Sequence, residues 1–297
     1  MAVVTNANLG TLTIKVVSEM YSQHWNLERP PFENTFDPDF FFPSQTHQAA
    51  LLKLRYLIEN QKGVGVLVGP TGAGKTFVAR RLAHDLSQHA GPWLHLPFPQ
   101  MSADDLLSDL AIRLAGESVM AGIPPHSLLP RSSALRLIEQ SLDEHARAGR
   151  HPVIIVDDAH LIDDPATLQA LELLLNFQQP PQRVFSLILL GDRLLLSRLS
   201  RLPRFEDRLA IRAMLHSLSA DETARYVRFR LEVAGARQAM FDAAALAEIA
   251  QLSGSVPRRI NRLADLALLV GYADGRQQLT AADVANVSDE LTVVGVD

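Results

Sequence analysis

Short apolar runs that end in glycine or a carboxylate punctuate the first two-thirds of the chain. Residues 64–68 run into Gly69, 151–156 into Asp157-Asp158, and 184–190 into Gly191-Asp192. Their length, absence of alternation and β-branched or leucine content predict strands buried on both faces, as in a parallel sheet. Residues 92–97 read as a further strand and 209–215 as the last. Between them, apolar residues return at helical spacing. Ser44 caps a helix to about residue 60, with Ala50, Leu51, Leu54, Leu57 and Ile58 on one face. A second helix follows Thr76, and Ser102 with Asp105 caps a third to about residue 115. Residues 132–148 form another, Asp163-Asp164-Pro165 opens one to about residue 177, and 194–199 is helical.

From Ser219 the strands stop. Ser219 with Glu222 forms a capping box, Asp242 caps the next helix, Pro257 starts a third through about residue 269, and Thr280 with Asp283 starts a fourth. The pattern predicts an α/β fold, a parallel sheet sandwiched by helices, followed by a small all-α domain. The expected organisation is a flexible leader over 1–24, with 11–17 as a short strand, then an α/β domain over 25–217, helices over 218–291 and a frayed tail over 292–297. The stretch 25–44 is dense in aromatics and prolines and reads as an extended segment pinned to a surface.

The chemistry begins where the first strand ends. Gly69-Pro70-Thr71-Gly72-Ala73-Gly74-Lys75-Thr76 leads into Phe77-Val78-Ala79-Arg80-Arg81-Leu82, giving buried strand, glycine loop and helix in succession. Gly69, Gly72 and Gly74 are expected to turn backbone N–H groups inward at conformations closed to residues with a Cβ, and the helix N-terminus adds attraction for an anion. Lys75 then reaches the β- and γ-phosphates of a nucleotide, and the Thr76 hydroxyl holds Mg²⁺. Phe32 and Phe42 are candidates to border the adenine, although most rings of that segment are expected to anchor it on the core.

Because ligands of parallel sheets sit at the carboxyl ends of strands, Asp157 and Asp158 arrive beside those phosphates. Asp157 suits a metal role and Asp158 the place of a base that polarises the attacking water. Asp192 follows another strand; it either touches the water or γ-phosphate or serves as a capping aspartate.

Composition removes alternatives. At 297 residues the chain suggests about two domains, and its 47% apolar content is ordinary for a globular protein. No apolar run approaches the ~18–20 residues that span a bilayer, and the first 20 residues lack the pattern of a signal peptide. A cytoplasmic protein is expected. Zero cysteines rule out disulfides, thiolate ligands and cysteine nucleophiles. The net charge of −5 argues against a wholly basic nucleic-acid binder, yet 24 of the 28 positive residues are arginine and many cluster late in the chain.

From about Trp25 to Gly271 the chain resembles the AAA+ ATPases, and more narrowly the general secretion pathway A (ExeA-like) type. The marks are Pro31-Phe32, Asp37-Pro38-Asp39-Phe40 and His47, the loop from Gly69 to Thr76, Asp157-Asp158-Ala159-His160-Leu161, Leu190-Gly191, Leu218-Ser219 with Glu222-Thr223, and the stretch from Ser253-Gly254-Ser255 through Arg258-Arg259 to Asn261. The last looks like the family's sensor 2 segment, which implies that Arg258, with Arg259 beside it, swings from a helical lid onto the γ-phosphate. Independently, arginines in a first helical turn oppose the helix dipole and call for an anionic partner.

Such proteins usually carry Asp-Glu where this chain has Asp157-Asp158; the shorter side chain points to slow hydrolysis or a compensating geometry. Many carry Gln where this chain has Asp192. The membrane helix and cell-wall-binding segment that some relatives add are absent from this sequence. The resemblance implies an ATP-driven switch acting as a homo-oligomer, in a ring or otherwise, completed by an arginine from a neighbouring subunit. Arg208 is the first choice for that finger, with Arg204 and Arg201 behind it. Protein partners of a secretion or pilus apparatus are implied. A DNA-binding regulatory ATPase of the transposition-helper type, and a nucleotide-sensing scaffold with little turnover, are the alternatives.

Overall fold

In the computed structural model, which describes residues 21–88, 90–116, 128–178 and 185–293, five parallel strands lie in the order β2-β3-β4-β1-β5. They are β1 (Val64–Val68), β2 (Trp93–Leu96), β3 (Val153–Val156), β4 (Ser186–Gly191) and β5 (Leu209–Met214). Every residue of β1, β3 and β4 is buried, whereas burial is uneven along β2 and β5 at the two edges. The unbroken apolar runs of the sequence are thus the three inner strands, and the weaker patterns are the edges.

The helices of this part are α1 (Gln45–Glu59), α2 (Lys75–Leu86), α3 (Ala103–Ala115), α4 (Arg131–Arg147), α5 (Pro165–Leu174), α6 (Arg193–Leu199) and α7 (Pro203–Arg208). Leu106, Leu110, Ile138 and Leu142 from α3 and α4 join Val66, Ile154 and Leu187 from the sheet in one core cluster. Several starts are set by the caps that the sequence predicts: Ser102 accepts from the Asp105 N–H, and Asp164 accepts from the Ala166 N–H with Pro165 at the first helical position.

The chain divides into two compact units. One is residues 45–216; the other joins the described residues up to Ser44 with those from Ser217 onward. The second unit holds α8 (Ala220–Val233), α9 (Ala243–Ser253), α10 (Pro257–Ala273) and α11 (Ala281–Val293). The capping box of α8 is complete, with Ser219 accepting from Glu222 N–H and Glu222 from the Ser219 N–H.

The aromatic segment that the sequence assigns to the α/β domain packs in the helical unit instead. Trp25, Leu27, Phe32 and Phe40 are buried in one cluster with Tyr226, Leu231, Ile260 and Leu268. Trp25 Nε1 donates to the Leu268 carbonyl at 3.0 Å. Phe32 is therefore a core residue, and Phe42 meets Tyr226 edge-on at 5.5 Å between ring centres. Residues 21–24, at the end of the stretch read as a leader, form a helical turn with Tyr21 buried; residues 11–17 and the end of the tail lie outside the described residues. Among the described residues no helix is long and apolar enough to cross a membrane.

Candidate active site

The loop between β1 and α2 is shaped by two glycines and by a neighbour. Gly72 and Gly74 have φ of 83° and 95°, the left-handed region that favours glycine. Gly69 does not share that conformation; a Cβ there would stand 2.9 Å from Leu215 Cβ, so its need is close approach rather than backbone freedom. His47 on α1 is buried, and its Nε2 donates to the Ala73 carbonyl at 2.9 Å. A Cβ on Gly74 would lie 3.2 Å from that nitrogen. The loop is thus supported from behind by a histidine. At its far end Gly74 begins α2 without a side-chain cap, leaving that helix end fit for an anion.

Lys75 is buried, and its Nζ donates to the carbonyls of Gly69 at 3.0 Å and Pro70 at 3.2 Å. Its ammonium therefore sits within the arch of the loop. Thr76 Oγ1 donates to Asp157 Oδ2 at 2.7 Å. That contact spans β4, which lies between β1 and β3, and it draws the loop to the end of β3. The Asp157 carboxylate also accepts from His95 Nε2 at 3.2 Å and from the Asp158 N–H at 3.0 Å. Burial alone pushes the Asp157 carboxyl up, but the bonds from His95, Thr76 and Asp158 outweigh it and hold the group below the usual carboxylate range.

An ionised carboxylate beside a threonine hydroxyl is a pair of hard oxygen donors, the donor set Mg²⁺ prefers. Among the described residues no cluster of three or more histidines or carboxylates could hold a metal on its own. An ion held by Thr76 and Asp157 would complete its shell with water and phosphate.

Asp158 adopts φ 47° and ψ 36°, left-handed for a residue with a side chain, and that side chain is half-exposed. Asp192 caps α6, with Oδ1 accepting from the Leu194 N–H at 2.8 Å. Of the two readings of Asp192, the capping one describes what its Oδ1 does. Arg208 is part-buried at the end of α7 and donates to Asn176 Oδ1 at 2.9 Å. Arg201 and Arg204 are exposed. Arg258 and Arg259 belong to the helical unit, exposed in the first turn of α10, and no ion pair joins either to another described residue.

Three histidines make contacts that no motif foretells: His47 behind the loop and His160, which stand among the family marks with no role attached, and His95 on the Asp157 carboxylate, which no motif includes. Their partners are distant in sequence, 26 residues for His47 and 62 for His95. The available signal was a lone polar residue inside an apolar pattern, such as His95 between Leu94 and Leu96.

A parallel sheet in this order, with a glycine loop after β1 and a carboxylate after β3, is the fold and site of a P-loop NTPase of the AAA+ class. The AAA domain family matches residues 58–199. Over 282 residues the chain is 31% identical to general secretion pathway protein A of Aeromonas hydrophila, covering 92% of this chain and 49% of that protein. It is an AAA+ protein of the general secretion pathway A (ExeA-like) type, and it spans about half the length of that curated relative. Among solved structures, the fold resembles the Aeropyrum pernix ORC2 protein in its ADPNP and ADP complexes, at TM-score 0.63 and 18% identity over 89% of this chain and 71% of that one. It also resembles the Aeropyrum pernix ORC1 protein in complex with DNA, at TM-score 0.65 and 18% identity over 85% of this chain and 67% of that one.

Proposed function

We propose that the chain binds and hydrolyses Mg-ATP and uses the cycle to switch the state of a homo-oligomer. The observation that most supports this is the convergence of Lys75, Thr76 and Asp157 beyond the carboxyl ends of the inner strands β1 and β3. In this reading the phosphates rest on the backbone from Gly69 through Pro70, Thr71, Gly72, Ala73 and Gly74 to Phe77. Lys75 exchanges its carbonyl contacts for the β- and γ-phosphates. Thr76 and Asp157 hold the magnesium, which neutralises charge on those phosphates when bound. Asp158 accepts a hydrogen from the attacking water and orients it, and its short side chain makes turnover slow.

Two kinds of arginine complete the proposal. Arg258, with Arg259 beside it, serves the γ-phosphate as a sensor. Arg208 from a neighbouring subunit is the finger, ahead of Arg204 and Arg201; such fingers contribute about 10³-fold or more elsewhere. We place the protein in the cytoplasm, which its lack of cysteine fits, and its clients in a secretion or pilus assembly, by likeness to the secretion-pathway relative.

Asp158→Asn tests the chemistry: it should bind ATP with affinity near that of wild type and release no phosphate. Wild-type turnover in that variant would remove Asp158 from the role. Arg208→Ala should lose turnover at every protein concentration; retained activity would withdraw the finger assignment.

A second reading, a DNA-binding regulatory ATPase, is favoured by the arginine-rich composition and by a solved neighbour in complex with DNA. Duplex binding measured against salt, with and without a non-hydrolysable ATP analogue, separates the two. A steep, nucleotide-dependent salt slope supports DNA, and no binding at low salt removes it. Phosphate release no higher than a blank under oligomerising conditions would instead support a nucleotide-sensing scaffold.

A further inference from the structure

His160 lies in the 3₁₀ turn Ala159–Leu161, directly after Asp158, and faces two carboxylates. Its Nδ1 is 3.9 Å from Asp158 Oδ1, and its Nε2 is 3.7 Å from Asp192 Oδ2. The side chain is only 13% exposed, and Nδ1 is buried with no hydrogen-bond partner among the described residues. A buried polar atom left unpaired costs about 1–3 kcal/mol and asks for an explanation.

The two carboxylates differ in freedom. Asp192 is fixed by its cap on α6, which commits Oδ1 and leaves Oδ2 toward the imidazole. The crowding around Gly191 helps fix this end of β4: a Cβ there would stand 2.9 Å from Leu195 Cδ2 and 3.4 Å from the His160 backbone nitrogen. Asp158 is 51% exposed, so its side chain has room to turn. The ring is thus backed by Asp192 and presents its unpaired nitrogen to Asp158. At 3.7 and 3.9 Å these contacts are too long for hydrogen bonds. Catalytic hydrogen bonds are often long in unliganded sites and shorten once substrate is bound.

We propose that His160 is a positioning residue for Asp158, resting on the reading of Asp158 as the group that orients water. With nucleotide bound, Asp158 Oδ1 accepts from His160 Nδ1–H, which leaves Oδ2 to accept from the attacking water. Asp192 steadies the ring through Nε2. A neutral ring with its hydrogen on Nδ1 makes the Asp158 contact, and a charged ring makes both. The arrangement gives the short carboxylate a fixed direction that its exposed, left-handed position does not supply.

The test uses the full chain and compares His160→Ala, His160→Asn and Asp192→Asn, read by phosphate release and by binding of a fluorescent ATP analogue. The alanine variant should lower kcat by about tenfold to a hundredfold, the scale of a misplaced catalytic group. Its KM and analogue affinity should stay within about twofold. Asparagine, whose amide nitrogen can take the place of Nδ1, should recover part of the loss, and Asp192→Asn should show a smaller loss of the same kind. Wild-type kcat in His160→Ala would overturn the proposal, as would equal losses in alanine and asparagine accompanied by raised KM. If wild type releases no more phosphate than Lys75→Ala, the hydrolysis reading falls on its own, and the imidazole ¹⁵N signals of His160 decide this one. They should move on both Asp158→Asn and Asp192→Asn; signals unmoved by Asp158→Asn would overturn it.

Discussion

Gly74 stands at a crossing of two constraints: its φ of 95° belongs to the left-handed region, and the space where a Cβ would go is taken by His47 Nε2 at 3.2 Å. Gly74→Ala should therefore lower stability by about 1–2 kcal/mol and weaken nucleotide binding in step, measured by chemical denaturation and ATP titration. His151 carries a pH prediction. It is buried, its Nε2 meets Ser186 Oγ at 2.9 Å, and burial pushes its pKa down from 6.5 to about 4. The folded protein then holds this ring neutral where the unfolded chain protonates it. The stability it supports is full above pH ~6.5 and is lost as pH falls toward 4, by up to about 3 kcal/mol. His151→Asn should flatten unfolding free energy against pH across that window; an unchanged slope would refute the assignment. Residues such as Lys75, Thr76 and Asp157 were legible because the glycine loop and strand-end carboxylates declare themselves within a few positions. His95 was not, nor were the roles of His47 and His160, two marks of the family resemblance, since a histidine in sequence is silent about the carbonyl or carboxylate that the fold brings to it.

Elements were legible where local chemistry fixes their ends. Ser102, Asp164, Ser219 and Asp242 each accept from a first-turn N–H of their helices. Ser219→Ala, which removes one half of a complete capping box, should cost about 1 kcal/mol in thermal or denaturant unfolding, with nucleotide affinity unchanged. The helix Pro203–Arg208 has no such signature, because six residues carry under two turns of periodicity. The inner strands β1, β3 and β4 announced themselves by unbroken burial. The last one begins at Ser186 rather than 184, and residue 184 lies outside the described residues. The pairing order β2-β3-β4-β1-β5 had no local signal, since parallel partners are joined through helices and meet only in the folded sheet.

At the scale of the molecule, the largest difference from the sequence reading is the home of the aromatic segment 25–44. Adjacency along the chain suggested the α/β domain, but its partners come some 200 residues later. Arg230 is buried, donates to the carbonyls of Pro31 and Glu33, and stacks over the Phe40 and Tyr226 rings at 4.6 and 5.8 Å. Tyr226 donates to Asn261 Oδ1, which shares α10 with Arg258, and the Asn261 amide donates to Asn34 Oδ1. Arg230→Ala should leave two carbonyls unpaired and cost about 2–3 kcal/mol, with faster limited proteolysis between residues 28 and 44. Unchanged cleavage there would show that the segment is held by its rings alone. Every role proposed for the chain depends on the loop from Gly69 to Thr76 being a nucleotide site, and ATP titration of wild type against Lys75→Ala tests that most directly. Wild type should bind in the presence of Mg²⁺ while the variant shows no binding at concentrations that saturate wild type; equal affinity in the two would contradict it.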